Sequence, residues 1–252
     1  MTGAAWLAAR AALAAGAGRV YCSLLDEDAP LLDGTRPELM GRRAWWRSPP
    51  AVMASTTVVC GCGGGDAVHA VLPALLAHVQ RLVLDADALN AIAADAGLQN
   101  LLQARAARGM PTLLTPHPLE AARLLGVAAS DVQQDRLACA KRLAAQTGAA
   151  VLLKGSGSIT AEPGQILQLN PTGNGALATA GTGDVLAGWC AALWSQNPES
   201  RPGEVAAAAA WEHGHAADLW PGAASGAPLR AAELIEAMAL REMGGETHRE
   251  SA

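Results

Sequence analysis

The 252-residue chain has no phenylalanine and a single tyrosine, and aromatic residues make up only 3% of it. Its core must therefore be built from Ala, Leu and Val, and 51% hydrophobic content supplies enough for a large one. Positive charge is also scarce. Eighteen Lys and Arg face 23 Asp and Glu, for a net charge of -5 and a pI near 5.7. No dense basic run occurs, which excludes the electrostatic footprint of a nucleic-acid-binding protein. Long apolar runs are missing too. The Ala-rich stretch from Met1 to Gly18 is interrupted by Arg10 and has no cationic region before it. It is neither a secretory signal nor a membrane span, and a soluble, cytoplasmic protein is expected. The five cysteines (Cys22, Cys60, Cys62, Cys139, Cys190) are odd in number and scattered. They read as reduced, mostly buried thiols, and Cys60-Gly-Cys62 is too closely spaced for a usual zinc pair.

What is present alternates between strand and helix patterns. Gly3 to Ala15 reads as a buried helix closed by Gly16-Ala17-Gly18, followed by a strand over Arg19–Leu25. Further strands are predicted at Thr57–Cys60, Leu82–Leu84, Pro111–Leu114 and Ala149–Leu153, with helices at Ala67–Gln80 and Leu98–Arg108 between them. Ser130-Asp-Val-Gln133 fits a capping box opening a helix to Gln146, and Pro163-Gly164 turns a hairpin toward Ile166–Leu169. Helices are expected from Pro202 to Trp220 and from Leu229 to Met243. This order argues one α/β domain over residues 1–243 with a largely parallel sheet, and a polar tail over 244–252.

Four loops at strand ends carry the chemistry. Gly61-Cys-Gly-Gly-Gly-Asp66 is a glycine turn after a strand, a weak signal that equally fits a plain tight turn. His117 is held between two prolines in Thr115-Pro-His-Pro-Leu-Glu120. Lys154, one of only two lysines, opens Lys154-Gly-Ser-Gly-Ser158, a ready phosphate site that is not a Walker A loop. Asn170-Pro-Thr-Gly-Asn-Gly-Ala-Leu-Ala-Thr-Ala-Gly-Thr-Gly-Asp184 then places one acid where a glycine-rich turn opens a helix. Phosphoryl chemistry on a small molecule follows, with Asp184 taking a proton from a hydroxyl. Asp85 and Asp87 either hold a metal or cap the next helix through Asp87. The Arg42–Arg47 cluster with Trp45 and Trp46 either stacks on a base or packs its tryptophans under arginine stems. His213 and His215 are too close to share a helix face as ligands and read as packing or surface residues.

The Asn170–Gly188 stretch resembles the signature of the ADP-dependent NAD(P)H-hydrate dehydratases of the ribokinase-like superfamily. Thr115–Glu120, Val83–Asn90, Leu153–Ser158 and Gly3–Arg10 are similar to further family segments in the same order. The likeness spans Gly3 to about Met238. It implies a three-layer α/β/α fold with a largely parallel central sheet, and dehydration of the 6S hydrate of NADH or NADPH driven by ADP going to AMP and phosphate. It further implies that Asp184 activates the 6-hydroxyl, and that Lys154, Gly155, Ser156, Gly157, Ser158 and Gly183 hold the nucleotide. Ala4, Gly63, His117 and Asp184 would then meet the hydrate. Magnesium accompanying ADP (or ATP), and a homotetramer, are also implied by the resemblance.

The chain departs from the family pattern in three places. The family carries a strand and glycine turn ahead of the position of Met1, which the sequence lacks, so an exposed sheet edge is expected. Gly61-Cys-Gly-Gly-Gly65 replaces Gly-Pro-Gly-Leu-Gly, and Ala180 stands where glycine is common, which requires a negative φ there. The 252 residues include no fused epimerase domain of the kind that family members often carry. Two rival readings are a ribokinase-like kinase of a vitamin precursor and a nucleotide-binding protein without catalysis.

Overall fold

Strand residues alternate between two apolar layers, and this alternation fixes where the sheet sits. In the computed structural model, which describes residues 1–222 and 225–244, Leu82 and Leu84 pack on one face of the sheet and Val83 on the other. The expected polar tail lies outside the described residues, apart from Gly244 at the end of the last helix.

The chain opens with α1 (Thr2–Ala14), followed by two short strands, β1 (Tyr21–Cys22) and β2 (Met40–Gly41), paired in parallel. The longer strand expected over 19–25 therefore shrinks to two residues. A short helix α2 (Pro50–Ala54) leads to β3 (Thr57–Cys60), α3 (Val68–His78), β4 (Arg81–Leu84), α4 (Ala86–Ala94) and α5 (Ala96–Ala107). Then come β5 (Thr112–Leu114), α6 (Pro118–Leu125), α7 (Ala129–Gln134), α8 (Arg136–Thr147), β6 (Ala150–Leu153), β7 (Ile159–Ala161) and β8 (Gln168–Leu169). Three helices finish the fold: α9 (Thr182–Gln196), α10 (Pro202–Asp218) and α11 (Ala231–Gly244).

The main sheet runs in the order β3-β4-β5-β6-β7-β8. Its first four strands are parallel, and the last two return as an antiparallel hairpin across Pro163-Gly164. Helices α3, α4, α6 and α8 cover one face, while α1, α9, α10 and α11 cover the other. This is the three-layer α/β/α arrangement that the family resemblance implies, built on the largely parallel sheet expected from the strand–helix alternation.

Among the described residues the edge of β3 away from β4 is unpaired, and it faces an open groove of about 930 Å³, lined also by Val20–Leu25 around β1. The two-stranded sheet and the six-stranded sheet both line this groove.

Two local expectations change. The predicted helix over 130–146 is broken at Asp135, whose carboxylate accepts from Ala138 N at 2.9 Å and starts α8 afresh. An acid that can bond the following backbone N–H groups competes with the helix running through it. The Ser130 box does not form; α7 begins after Ala128, whose N–H donates to Asp131 at 3.1 Å. In the Arg42–Arg47 cluster, Trp45 is buried and Trp46 packs on the core, so the packed reading holds.

Helices α1 and α9 lie in close contact at Gly188, where an added Cβ would lie 2.1 Å from the Ala8 carbonyl oxygen. Gly188→Ala cannot be absorbed by a flexible side chain. A loss of at least ~1–3 kcal/mol is expected from overpacking, read as a lower urea midpoint at unchanged slope. An unchanged midpoint would mean that the two helices separate freely.

A candidate active site at the carboxyl edge of the sheet

Parallel strands deliver their following loops to one edge, and here β3, β4, β5 and β6 deliver Gly61–Asp66, Asp85, Thr115–Glu120 and Lys154–Ser158. Gly61 (φ +118) lets the first loop lie against the second, because an added Cβ would sit 1.8 Å from the Asp85 carbonyl. Gly63 (φ +70) does the same for the chain start: Met1 N donates to its carbonyl at 2.7 Å, and Ala4 lies beside it. Two of the predicted substrate residues, Ala4 and Gly63, are thus adjacent. Ala180 takes no positive φ, as its side chain requires.

Asp85 is the hub of the edge. Its carboxylate, 2% exposed, accepts from Lys154 Nζ at 2.6 Å and from Thr115 Oγ1 at 2.8 Å. Neither Asp85 nor Asp87 caps α4 through its side chain; Asp87 instead accepts from Gly65 N at 2.7 Å and ties down the glycine loop. The next residue, Ala86, holds a left-handed φ of +43, a strain kept where the chain must turn Asp85 inward. Lys154 is largely buried. Burial works against its charge, but Asp85 and then Glu120 outweigh it and push its pKa up, so the ammonium persists.

The helix α9 starts at this edge. Gly181 (φ +91) turns the chain, and an added Cβ on Gly183 would lie 3.3 Å from Lys154 Nζ. Asp184 is the third residue of α9, in the positive field of the helix start. Half-buried, its carboxyl is pushed up by burial; the Cys62 thiol draws it back and the Asp85 charge lifts it again, with a net rise. Such a carboxylate is a stronger proton acceptor than an exposed aspartate. Cys62, Asp85 and Asp184 present donor atoms within 4.8 Å of one another.

The Lys154–Ser158 loop is shaped by its glycines, Gly155 at φ +147 and Gly157 at φ +63, and by Arg136 from α8. Arg136 donates to Ser156 O at 2.5 Å and to Leu153 O at 3.3 Å. The Ser158 hydroxyl donates to Gly155 O at 3.2 Å. Sequence reasoning missed Arg136, which lies 18 residues before Lys154 on another element. The Asn170–Asn174 lead is strapped to α10, since Asn170 donates to Ala210 O and Asn174 to Ala217 O, both at 3.0 Å.

His117 sits at the start of α6, where its Nδ1 accepts from Leu119 N at 3.1 Å and Glu120 N at 3.3 Å. Glu120 returns the bond from His117 N at 2.8 Å, completing a capping box. The ring proton therefore sits on Nε2, 3.2 Å from Glu120 Oε1. Burial first, then Lys154, lower the pKa of the ring and keep it neutral.

His213 is buried, as the packing reading expects, and its Nε2–H donates to Thr182 O at 3.0 Å, anchoring the first turn of α9. Burial holds its pKa down to about 4, against 6.5 for a free histidine. The unfolded chain therefore binds this proton first as pH falls. Stability should drop between about pH 6.5 and 4, by an amount on the order of 3 kcal/mol, and His213→Gln should flatten that part of the profile. Denaturation midpoints across this range test it, and an equal slope in the variant would refute it.

A parallel sheet between two helical layers, with a lysine and a glycine-opened helix meeting at its carboxyl edge, is a ribokinase-like fold. A ribokinase-like superfamily structure from Enterococcus faecalis has the same fold, with a TM-score of 0.74 at 22% identity, covering 96% of this chain and 82% of that one. The family model for NAD(P)H-hydrate dehydratase matches residues 1–239, and the chain belongs to that family. The ADP-dependent (S)-NAD(P)H-hydrate dehydratase of Neisseria meningitidis is 41% identical over 223 residues, 87% of this chain and 73% of that protein. The structure of the ADP/ATP-dependent enzyme from Bacillus subtilis, co-crystallised with ATP and Mg²⁺, has a TM-score of 0.75 at 30% identity, covering 96% of this chain and 85% of that one. The chain spans 42% of the length of a bifunctional NAD(P)H-hydrate repair enzyme from Moorella thermoacetica.

Proposed function

We infer that the chain repairs hydrated NADH and NADPH, dehydrating the 6S hydrate with ADP going to AMP and phosphate. The observation that carries this reading within the family is the meeting of Asp184, Gly183 and Lys154 at the start of α9. Lys154 and the backbone N–H groups of Gly155–Ser158 and Gly183 neutralise the phosphates, and Arg136 keeps the loop in shape. Asp184 accepts the proton of the 6-hydroxyl as that oxygen takes the terminal phosphoryl group of ADP and AMP leaves. Departure of phosphate from C6, with loss of a C5 proton, restores the dihydronicotinamide ring. Ala4, Gly63 and the half-exposed face of His117 border the space for the hydrate; His117, neutral and already capping α6, orients and does not transfer protons.

Magnesium is a hard cation that takes oxygen ligands, and the buried Asp85 carboxylate and Asp184 would supply them beside the phosphate site. When bound with the nucleotide it would offset phosphate charge. Residues 1–243 are taken as one catalytic unit. Free thiols at all five cysteines and the lack, among the described residues, of a helix long and apolar enough to cross a membrane support a cytoplasmic setting. The homotetramer remains part of this proposal on the family resemblance.

Titration of ADP against turnover tests the nucleotide half. Arg136→Ala should raise the KM for ADP by roughly tenfold with a smaller change in kcat, because it loosens the loop and leaves Asp184 in place. An equal fall in kcat at constant KM would remove Arg136 from this role.

A further inference from the structure

Cys62, Asp85 and Asp184 come from three separate elements: the loop after β3, the end of β4 and the first turn of α9. Within this group the two carboxylate oxygens of Asp85 are held unequally. Its Oδ1 takes both Lys154 and Thr115, whereas among the described residues Oδ2 receives only the Cys62 thiol, with Sγ 4.0 Å away. That distance is at the outer limit for a sulfur hydrogen bond, so a carboxylate oxygen on a buried side chain faces a buried thiol with little between them. Two carboxylates against the single Lys154 ammonium leave the cluster with surplus negative charge even before the thiol ionises.

A tetrahedral zinc ion with one thiolate and one carboxylate ligand separates their donor atoms by about 3.5 Å, given bonds of ~2.3 and ~2.0 Å. The Cys62–Asp85 separation is within about 0.5 Å of that. Half-buried Asp184, whose carboxylate already meets the Cys62 thiol, closes a third position, and water takes the fourth. Magnesium would use the two carboxylates alone, whereas the donor set that includes the Cys62 sulfur is soft on one side and suits zinc. We propose that Cys62, Asp85 and Asp184 form a site for a thiophilic divalent cation, which on binding releases the thiol proton to solvent and occupies the carboxylate of Asp184. The blocking half rests on the catalytic reading of Asp184; the binding half does not.

The test is a Co²⁺ titration of the full chain without substrate, followed in the near ultraviolet, where a thiolate-to-cobalt band appears only if sulfur is bound. One equivalent should give the band, and Zn²⁺ should displace it. Cys62→Ser should lose it, while Cys60→Ser, with its thiol buried on the other face of the sheet, should keep it. Asp184→Asn should weaken Co²⁺ binding at least tenfold. Circular dichroism of each variant guards against misfolding. No band in the wild type, or a band that survives Cys62→Ser, overturns the site. Zn²⁺ that binds with one equivalent and leaves NADH recovery intact overturns the blocking half. If no dehydration is found at all, the cobalt band still decides the site separately.

Discussion

Asp184→Asn yields a folded protein that no longer restores NADH from its hydrate, with kcat lower by ~10²–10⁴. The amide matches the carboxylate in shape, so α9 keeps its start and Gly183 its place beside Lys154. What is removed is the proton acceptor. Because burial raises the Asp184 carboxyl above its usual value, wild-type activity should fall, as pH is lowered, at a higher pH than for an ordinary aspartate. Stability runs the other way. The folded state holds this proton more tightly than the unfolded chain, so ionising Asp184 costs stability as pH rises through its folded pKa. The variant should therefore be as stable as the wild type near neutral pH, or slightly more so. Its loss of turnover with a preserved denaturation midpoint separates chemistry from folding; turnover within threefold of wild type would take Asp184 out of the reaction.

Lys154→Met has the second large effect, and it acts on both stability and binding. The substitution keeps the apolar stem but strands Asp85, 2% exposed, without its cation. Breaking a buried pair from one side costs about 3–5 kcal/mol, because the remaining charge is desolvated and uncompensated. Adding Asp85→Asn should recover much of that stability, since a neutral amide at 85 can still accept from Thr115. The double variant should nevertheless stay deficient in nucleotide binding, as no ammonium faces the phosphates. Urea denaturation and calorimetric ADP titration distinguish these outcomes. A Lys154→Met protein as stable as wild type would show that Asp85 finds its compensation elsewhere.

Much of this arrangement was legible in the sequence because it is written locally. Strand, glycine and helix follow one another at Thr57–Gln80, and the acid after Gly-Thr-Gly announces the opening of α9. The glycines at 61, 63 and 181 adopt the positive φ that their turns require. What escaped is what depends on distant partners. Asp85 and Asp87 are two residues apart and alike in composition, yet only the fold decides that Asp85 meets Lys154 while Asp87 holds the glycine loop. Arg136 supports the phosphate loop from a helix whose sequence carries no sign of that distant partner. The break at Asp135 was missed because an acid inside a helical pattern is usually tolerated, and only its bond to Ala138 N restarts the helix. The two-residue β1 reads as a longer strand and its partner β2 does not stand out at all, since β propensity says nothing about whether a neighbouring edge is available.

The most direct measurement incubates the purified chain with chemically hydrated NADH, Mg²⁺ and either ADP or ATP, and follows NADH absorbance together with nucleotide products. The account predicts recovery of NADH with ADP, matched mole for mole by AMP and phosphate. A folded protein that gives no recovery with either nucleotide, yet phosphorylates a small alcohol from ATP, would contradict it and leave a ribokinase-like kinase in its place.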